Sequence, residues 1–551
     1  MARWGRPRRQ KQQKQQKIAR VQDKQFTKKI EAISDDDLAL DLSANLDRVA
    51  EILGHSNDLV RRRFHLDTKG ERQAALIFID GMVSVEIVDK QVLHPLMHSL
   101  PDLLSQADGE HKDLPEQIRD HVLPIGEVKS TGQHRDVIKS VLQGDTVLLI
   151  DGCAQALLMN TKGWEKRGVE EPRTEAVVRG PRDGFAETMR INTALLRRRI
   201  KDPDLRAHNF TVGTRSRTDI TIMYIEGVAE AGVVDEIKKR IEAIEVDGVL
   251  DSGYIEQYIE DSHWSPFPLI QNTERPDKAA ANLLEGKVIV LVDGSPFVLI
   301  APAVFTQFYH SPEDYYERFL IATLVRFIRA LSMTMALLLP SLYISFSSFH
   351  PEMIPSKLVI AMAAGRATVP FPSVIEALLM EVSIEILREA SVRLPGPIGP
   401  TIGIVGALIV GEAAVKAGIV SPIMVIVVAL TTIGSFAAPS YNAAIAIRML
   451  RFPIMFLAAM FGLYGIMLFL IVIVVHLCSL KSFGVPYLSP FTPRNFLGIG
   501  DTLIRIPLFR MKKRPSVFVD NENILRNQPE SAEDVKQYGK PQTETKQRSD
   551  K

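Results

Sequence analysis

The sequence predicts a multi-domain membrane protein: a cytosolic α/β N-terminal region of two small lobes, followed by an all-α transmembrane domain of about five membrane segments. Short apolar runs that end in an acidic residue and a glycine recur between residues 34 and 310. Runs of roughly 20 apolar residues are long enough to cross a bilayer. The second half of the chain has four stretches without any Asp, Glu, Lys or Arg, at 330–351, 394–411, 417–447 and 452–480.

The chain opens with a basic, glutamine-rich arm, residues 1–33, which we predict to be disordered. Residues 1–29 contain eleven Lys or Arg and a single acidic residue. The favoured interpretation is a solvated tail beside the anionic cytosolic leaflet, and the alternative is an arm that contacts nucleic acid. The alternative is disfavoured because no aromatic residues are interleaved with the charges. We therefore expect no nucleic-acid partner. Residues 515–551 are predicted to form a second disordered tail.

Residues 34–310 are predicted to form two α/β subdomains, at 34–140 and 141–310. Asp-Gly or Glu-Gly after an apolar run indicates a tight turn, because glycine accepts a positive φ. Four runs end in this way, at 74–81, 146–152, 220–227 and 287–294. Another apolar stretch follows the first, second and fourth runs, which predicts three hairpins. No hydrophobic run precedes this region, so we expect it to remain in the cytosol.

The N-terminal half offers no grouping of residues that argues for catalysis. The two cysteines, Cys153 and Cys478, are too few for a disulfide framework or a thiolate metal site. The Gly- and Arg-rich loop 177–187 lacks the glycine spacing of a nucleotide site. We expect no cofactor, no metal and no enzymatic activity, and a membrane-bound enzyme is the disfavoured alternative.

The predicted transmembrane domain, residues 311–480, has apolar segments near 319–349, 357–380, 398–420, 422–440 and 452–480. Basic residues mark cytosolic flanks, so Arg326 and Arg329 indicate that the first segment enters from the cytosol. Arg448 and Arg451 likewise indicate a cytosolic loop at 440–451. The membrane-proximal segment 481–514 carries seven Lys or Arg against one Asp and is also predicted to be cytosolic.

Two cytosolic ends require an even number of crossings, which five segments do not provide. A re-entrant or broken helix around 395–400 is the favoured solution. A break of the last segment near Gly462 or Gly465 is the alternative, because glycine weakens a helix interior.

A charged face lies on the helix predicted for the stretch after residue 372. At 100° per residue, Glu381, Glu385, Arg388 and Glu389 fall within one arc roughly 100° wide, whereas Glu376 lies on the opposite side. Charged side chains at membrane depth are tolerated where they face protein or water, because their burial in lipid is costly. Lining of a pore or vestibule is the favoured role of this face. A helix on the membrane surface and a subunit contact are the alternatives.

A proline- and glycine-rich break and a ladder of small residues follow this helix. Proline removes backbone donors, and small residues four apart allow membrane helices to approach closely. We predict a pore loop or helix-packing surface formed by Pro395, Gly396, Pro397, Gly399, Gly403, Ala407 and Gly411. Glu412 and Lys416 are four residues apart and are predicted to form an intramembrane charge pair, with a transport role or as a neutralised pair.

Three long motifs resemble the A-subunit family of spore germinant receptors. They are PFPLIQNTERPDKAAANLLEGKVIVLVDGSPFVLIAP (266–302), EALLMEVSIEILREASVRLPGPIGPTIGIVGALIVGEAAVKAGIVSP (376–422) and HLCSLKSFGVPYLSP (476–490). The resemblance implies a protein of the spore inner membrane with a cytosolic region of two α/β subdomains. It also implies three kinds of partner: a transporter-like B subunit, a lipoprotein C subunit and membrane lipids. Finally, it implies that the chain self-associates into an oligomeric cation channel that opens in response to nutrients.

Two other functions remain open beside this nutrient-receptor channel. A sporulation-associated paralogue class has the same central motifs, which leaves an accessory ion channel or a signal amplifier in germination. Discontinuous helices and midplane carboxylates also occur in secondary transporters, although about five segments without a visible internal repeat argue against that class.

Overall fold

The computed structural model describes residues 36–67, 72–101, 114–163, 171–392 and 398–492, and the short pieces 501–502, 504–508, 511, 514–515 and 517–519. The predicted N-terminal arm lies outside the described residues. So do Pro395, Gly396 and Pro397 and most of the tail 515–551.

The first lobe is built on a five-stranded antiparallel sheet with the order β1-β2-β4-β5-β3. Alternate residues of β2 face opposite sides of the sheet, as the two-residue period of a strand requires. Ala75 and Ile77 pack under the helices α1 and α2, and Ala74 and Leu76 pack under the helical turns that come after β2. The elements are α1 Leu42–Ile52, β1 Leu59–His65, β2 Gln73–Ile79, the turns Val85–Ile87, Val88–Leu93 and Pro95–Ser99, β3 Val128–Thr131, α2 His134–Leu142, β4 Thr146–Ile150 and β5 Ala156–Met159.

The second lobe repeats this arrangement, with the strand order β6-β7-β9-β10-β8. Helices α3 and α6 cover one face of the sheet, and α4 and α5 cover the other. The two lobes meet at a buried ion pair between Arg197 Nε and Asp58 Oδ2, 2.7 Å apart. The elements are α3 Met189–Arg199, β6 Leu205–Val212, β7 Thr218–Ile225, α4 Ala231–Glu242, α5 Ser252–Ile259, β8 Gln271–Thr273, α6 Pro276–Leu284, β9 Val288–Val292 and β10 Val298–Ala301.

The α/β prediction for the N-terminal region is confirmed, with two corrections. The acid-glycine turns come after the second and fourth strands of each lobe, and their glycines have positive φ. Hairpins form at Gly152 and Gly294, but the chain after Gly81 turns into a helical segment, so the first predicted hairpin is wrong. The boundary at residue 140 is also wrong, because β4 and β5 complete the first sheet.

The C-terminal part is helical, as predicted. Two of its helices, α7 and α12, are long and apolar enough to cross a membrane, and α11 and α13 are shorter apolar helices. Within the described residues the region contains seven helices of eight or more residues, and the number of membrane segments among them stays a prediction. The seven helices are α7 Phe319–Ser348, α8 Ser356–Arg366, α9 Ser373–Val392, α10 Ile398–Lys416, α11 Pro422–Phe436, α12 Tyr441–Phe461 and α13 Leu463–Ser479.

Both ends of this helical bundle lie against the second lobe. The α7 side chain of Arg329 donates to the Tyr309 carbonyl at 2.7 Å, and His476 near the end of α13 bonds to Ser265 at 3.0 Å. After α13, a short hairpin (β11 Lys481–Ser482 and β12 Val485–Pro486) packs on the lobe, where Ser482 donates to the Leu269 carbonyl. We call this side the lobe end of the bundle and the opposite side the far end.

A helix break lies at Gly462, one of the two glycines predicted as alternative break points of the last segment. Its φ of 59° separates α12 from α13 at the far end, close to Phe349 at the end of α7. The predicted segment 452–480 is therefore not continuous. The favoured break around 395–400 falls partly outside the described residues. The predicted loop 440–451 is wrong, because Arg448 and Arg451 lie inside α12. Their positive charges suggested a loop, but both are neutralised by acidic side chains within the bundle.

Candidate functional site

A fully buried ion pair joins α9 to α12. Glu381 and Arg451 are 0% and 1% exposed, and the guanidinium donates to the carboxylate. Arg451 Nε also donates to the carbonyl oxygen of Ala336 in α7 at 2.8 Å. Three helices thus meet at one buried pair, which neutralises both charges inside the apolar bundle.

A second charged network lies closer to the lobe end. Arg448 of α12 donates to Glu385 of α9 at 3.0 Å, and Arg388 lies 3.5 Å from the same carboxylate. Arg388 also donates to the Ser435 hydroxyl at 3.0 Å and lies over the ring of Phe436, 5.0 Å from its centroid. This network ties α9 to both α11 and α12.

An open cleft of about 520 Å³ begins at this network. Two acidic and two basic side chains line it, so its charges balance, and Glu389 is exposed. The cleft lies at the lobe end, because the first turns of α12 pack on Phe267 and Tyr487 near the second lobe. Its lining residues are Glu385, Arg388, Glu389, Tyr441, Ile445, Arg448, Met449 and Phe452.

The structure divides the predicted charged face into two parts. Glu381 faces the interior of the bundle, whereas Glu385, Arg388 and Glu389 reach the cleft. Sequence reasoning recognised the arc but missed Arg448 and Arg451 as partners, which lie 63 and 70 residues further along the chain. Pore lining by this face stays a prediction.

A second fully buried acid of the bundle helices, Glu376, was not predicted as a site residue. It is 0% exposed, lies 3.2 Å from Arg366 of α8, and accepts a hydrogen bond from the Ser421 amide at 3.1 Å. The Ser421 hydroxyl in turn bonds to Tyr343 of α7 at 3.0 Å. An acidic residue inside an apolar helix was the available signal, because such a charge requires a partner.

The small-residue ladder lies on α10, except for the three residues outside the described part of the chain. Gly399 and Gly403 fall in its first turns, and Ala407 borders the bundle core. A Cβ on Gly411 would lie 3.2 Å from Val425 of α11, so the helices approach closely there. The functional role of the ladder stays a prediction.

Glu412 and Lys416 form an ion pair in the last turns of α10, with 2.6 Å between Nζ and the carboxylate. Their side chains are 61% and 75% exposed. The pair therefore lies on the outside of the bundle, and its part in transport stays a prediction.

The beginning of α7 is anchored by a cluster of charges at the lobe end. Asp314 accepts hydrogen bonds from Arg326 and Arg329, each at 3.0 Å. These bonds hold the pKa of Asp314 below its usual value despite the opposing effect of burial. Beside them, burial and the positive charge of Arg326 lower the pKa of His310 to about 4, and its Nε2 lies 2.9 Å from the Thr502 carbonyl oxygen.

The α/β region thus holds both ends of a helical bundle, and two helices of this bundle are long and apolar enough to cross a membrane. The family model for the Bacillus/Clostridium GerA spore germination protein matches residues 47–517. The chain belongs to this family, and the predicted resemblance to germinant-receptor A subunits is confirmed.

Three relatives illustrate the similarity. The chain is 43% identical to the "Uncharacterized membrane protein YfkQ" of Bacillus subtilis (strain 168), over 90% of this chain and 94% of that protein. It is 42% identical to "Spore germination protein KA" of the same organism, over 90% of each. The crystal structure of the N-terminal domain of the A subunit of the Bacillus megaterium spore germinant receptor GerK3 is 36% identical, with coverage of 49% of this chain and 98% of that chain and a TM-score of 0.39.

Proposed function

We propose that this chain is the A subunit of a spore nutrient-germinant receptor and forms an oligomeric, ligand-gated cation channel. Family membership supports the role in germination. The proposed location is the spore inner membrane, with the two lobes in the cytosol. The proposed partners are a transporter-like B subunit, a lipoprotein C subunit, membrane lipids and further copies of this chain.

The observation that carries the channel proposal is the charged cleft at the lobe end of an apolar bundle. Its four charged side chains lie where they face protein or water, which charges at membrane depth require. Rotational symmetry would repeat the exposed carboxylate of Glu389 once per subunit and form a ring around an axis. Rings of carboxylates concentrate cations at the mouths of channels.

The direction of the helices supports a multi-pass topology with an even number of crossings. Helices α7, α9, α10, α11, α12 and α13 run alternately away from and towards the lobe end, and α8 lies at the far end. With the lobes in the cytosol, six passes return the chain to the side from which it started.

The test compares Glu389 with Glu412, an exposed acid of the same bundle outside the cleft. We expect slower potassium release from spores that carry Glu389→Gln and a stronger block with Glu389→Lys, because the balanced charge of the cleft becomes net positive in the first variant and more positive in the second. The matched controls, Glu412→Gln and Glu412→Lys, are expected to behave like wild type at equal protein level. Equal release rates for all three forms at position 389 would end the proposal for this cleft.

Ion flux in liposomes separates the channel from a secondary transporter. Purified receptor that conducts in discrete current steps supports the channel. Slow flux that saturates with ion concentration would contradict it and favour transport by alternating access.

A further inference from the structure

The interior of the bundle contains buried polar atoms that the charged cleft does not account for. Ser341 and Ser345 of α7 are 0% exposed, lie four residues apart on one face, and have no hydrogen-bond partner for their hydroxyls among the described residues. One carboxylate oxygen of Glu381 and one terminal nitrogen of Arg451 are also buried without a hydrogen-bond partner among the described residues. These four atoms belong to three helices that meet inside one protomer.

The unpaired serines differ from three other hydroxyl-bearing residues of the same helix. Hydroxyls in helices usually donate to a carbonyl three or four residues earlier. Thr323, Thr334 and Ser347 do so, with distances of 2.7, 2.9 and 3.2 Å. Ser341 and Ser345 do not, so their hydroxyls are available to groups outside the helix.

The register of α7 against α9 places these hydroxyls level with the two buried acids. Ser348 bonds to Ser373 at 2.7 Å, and the two helices run in opposite directions. From the Ser348–Ser373 contact, three residues back along α7 and three forward along α9 bring Ser345 level with Glu376. Seven residues in each direction bring Ser341 level with the residue just before Glu381. The two hydroxyls therefore lie along the path that joins the two acid–arginine pairs.

We propose that ordered water molecules occupy a polar track inside each protomer, between α7, α9 and α12, from the Glu381–Arg451 pair to the Glu376–Arg366 pair. Buried polar groups are nearly always hydrogen-bonded, and internal waters typically make about three hydrogen bonds to such groups. The track is separate from the cleft, which opens at the lobe end.

The test is the sign of the stability change on removal of each hydroxyl from the purified full-length protein in detergent. With water bound, Ser341→Ala and Ser345→Ala lose hydrogen bonds, and we expect lower melting temperatures. If no water is bound, the same substitutions remove a buried hydroxyl that has no hydrogen-bond partner, and the melting temperature should rise. Ser347→Ala is the matched control, expected near wild type, because that hydroxyl bonds only within its own helix. Melting temperatures that rise or stay unchanged for both variants overturn the proposal.

A cryo-EM map that resolves water provides a second measurement, because a lower melting temperature could also come from a packing change. We expect density peaks about 2.7–3.2 Å from both serine hydroxyls and from the Glu381 carboxylate. Protein atoms at those positions, or no peaks, would refute the track. Neither result bears on the channel proposal, which rests on Glu389 and potassium release.

Discussion

Removal of one partner of the Glu381–Arg451 pair is expected to be among the most destabilising single changes in the bundle. Both side chains are at most 1% exposed. In Glu381→Gln, Arg451 keeps the Ala336 carbonyl but loses its counter-charge inside an apolar surrounding. Breaking a buried pair in this way costs about 3–5 kcal/mol of the free energy of unfolding, because a buried charge is left uncompensated.

The assay is denaturant unfolding of the purified protein in detergent, with a double variant and an exposed pair as references. Glu381→Gln combined with Arg451→Met removes both charges, so its loss is expected to be well below the sum of the single losses. Glu412→Gln breaks an exposed i,i+4 pair and is expected to cost only a few tenths of a kcal/mol, roughly 0.2–0.5. A loss for Glu381→Gln no larger than that for Glu412→Gln would refute the reasoning.

Three further outcomes are expected. The pKa of His310 is lowered in the folded protein, so the unfolded chain binds more protons than the folded one between about pH 4 and 6.5. The free energy of unfolding should therefore fall by up to about 3 kcal/mol as the pH drops through that window. Unfolding measured as a function of pH should show that His310→Gln removes this dependence. Gly462→Ala should lower the melting temperature more than Gly484→Ala, because both glycines have positive φ but only the first new Cβ meets Phe349, at 3.1 Å. Residues 36–310 expressed alone should give a mixed α/β circular-dichroism spectrum, and a random-coil spectrum would contradict two self-contained sheets.

Local patterns in the sequence predicted the features that local chemistry determines. An acidic residue and a glycine after an apolar run mark a turn that depends on only a few residues, and all four such turns occur. The element after each turn depends on the rest of the fold, because the stretch after Gly152 pairs as a strand, whereas the stretch after Gly81 becomes helical and packs on the sheet face. The repeat of strand order between the lobes was therefore not visible from apolar runs alone.

The bundle shows why charge counting misplaced one segment. Arg448 and Arg451 favoured the prediction of a cytosolic loop at 440–451, because an unpaired arginine is costly at membrane depth and basic residues usually flank the membrane on the cytosolic side. Their partners Glu385 and Glu381 lie on a different helix, so the neutralised pairs exist only after folding. The acidic face was found from helical spacing, but its division between the protein interior and an open cleft required the tertiary arrangement.

The attachment of both ends of the bundle to one lobe has a mechanical consequence. The second lobe holds α7 through Arg329 and α13 through His476, while the buried Arg197–Asp58 pair joins it to the first lobe. Because one lobe is attached to both α7 and α13, any displacement of this lobe would be passed to the first and last helices of the bundle together. The break at Gly462 separates α12 from α13 at the far end, opposite these two attachments.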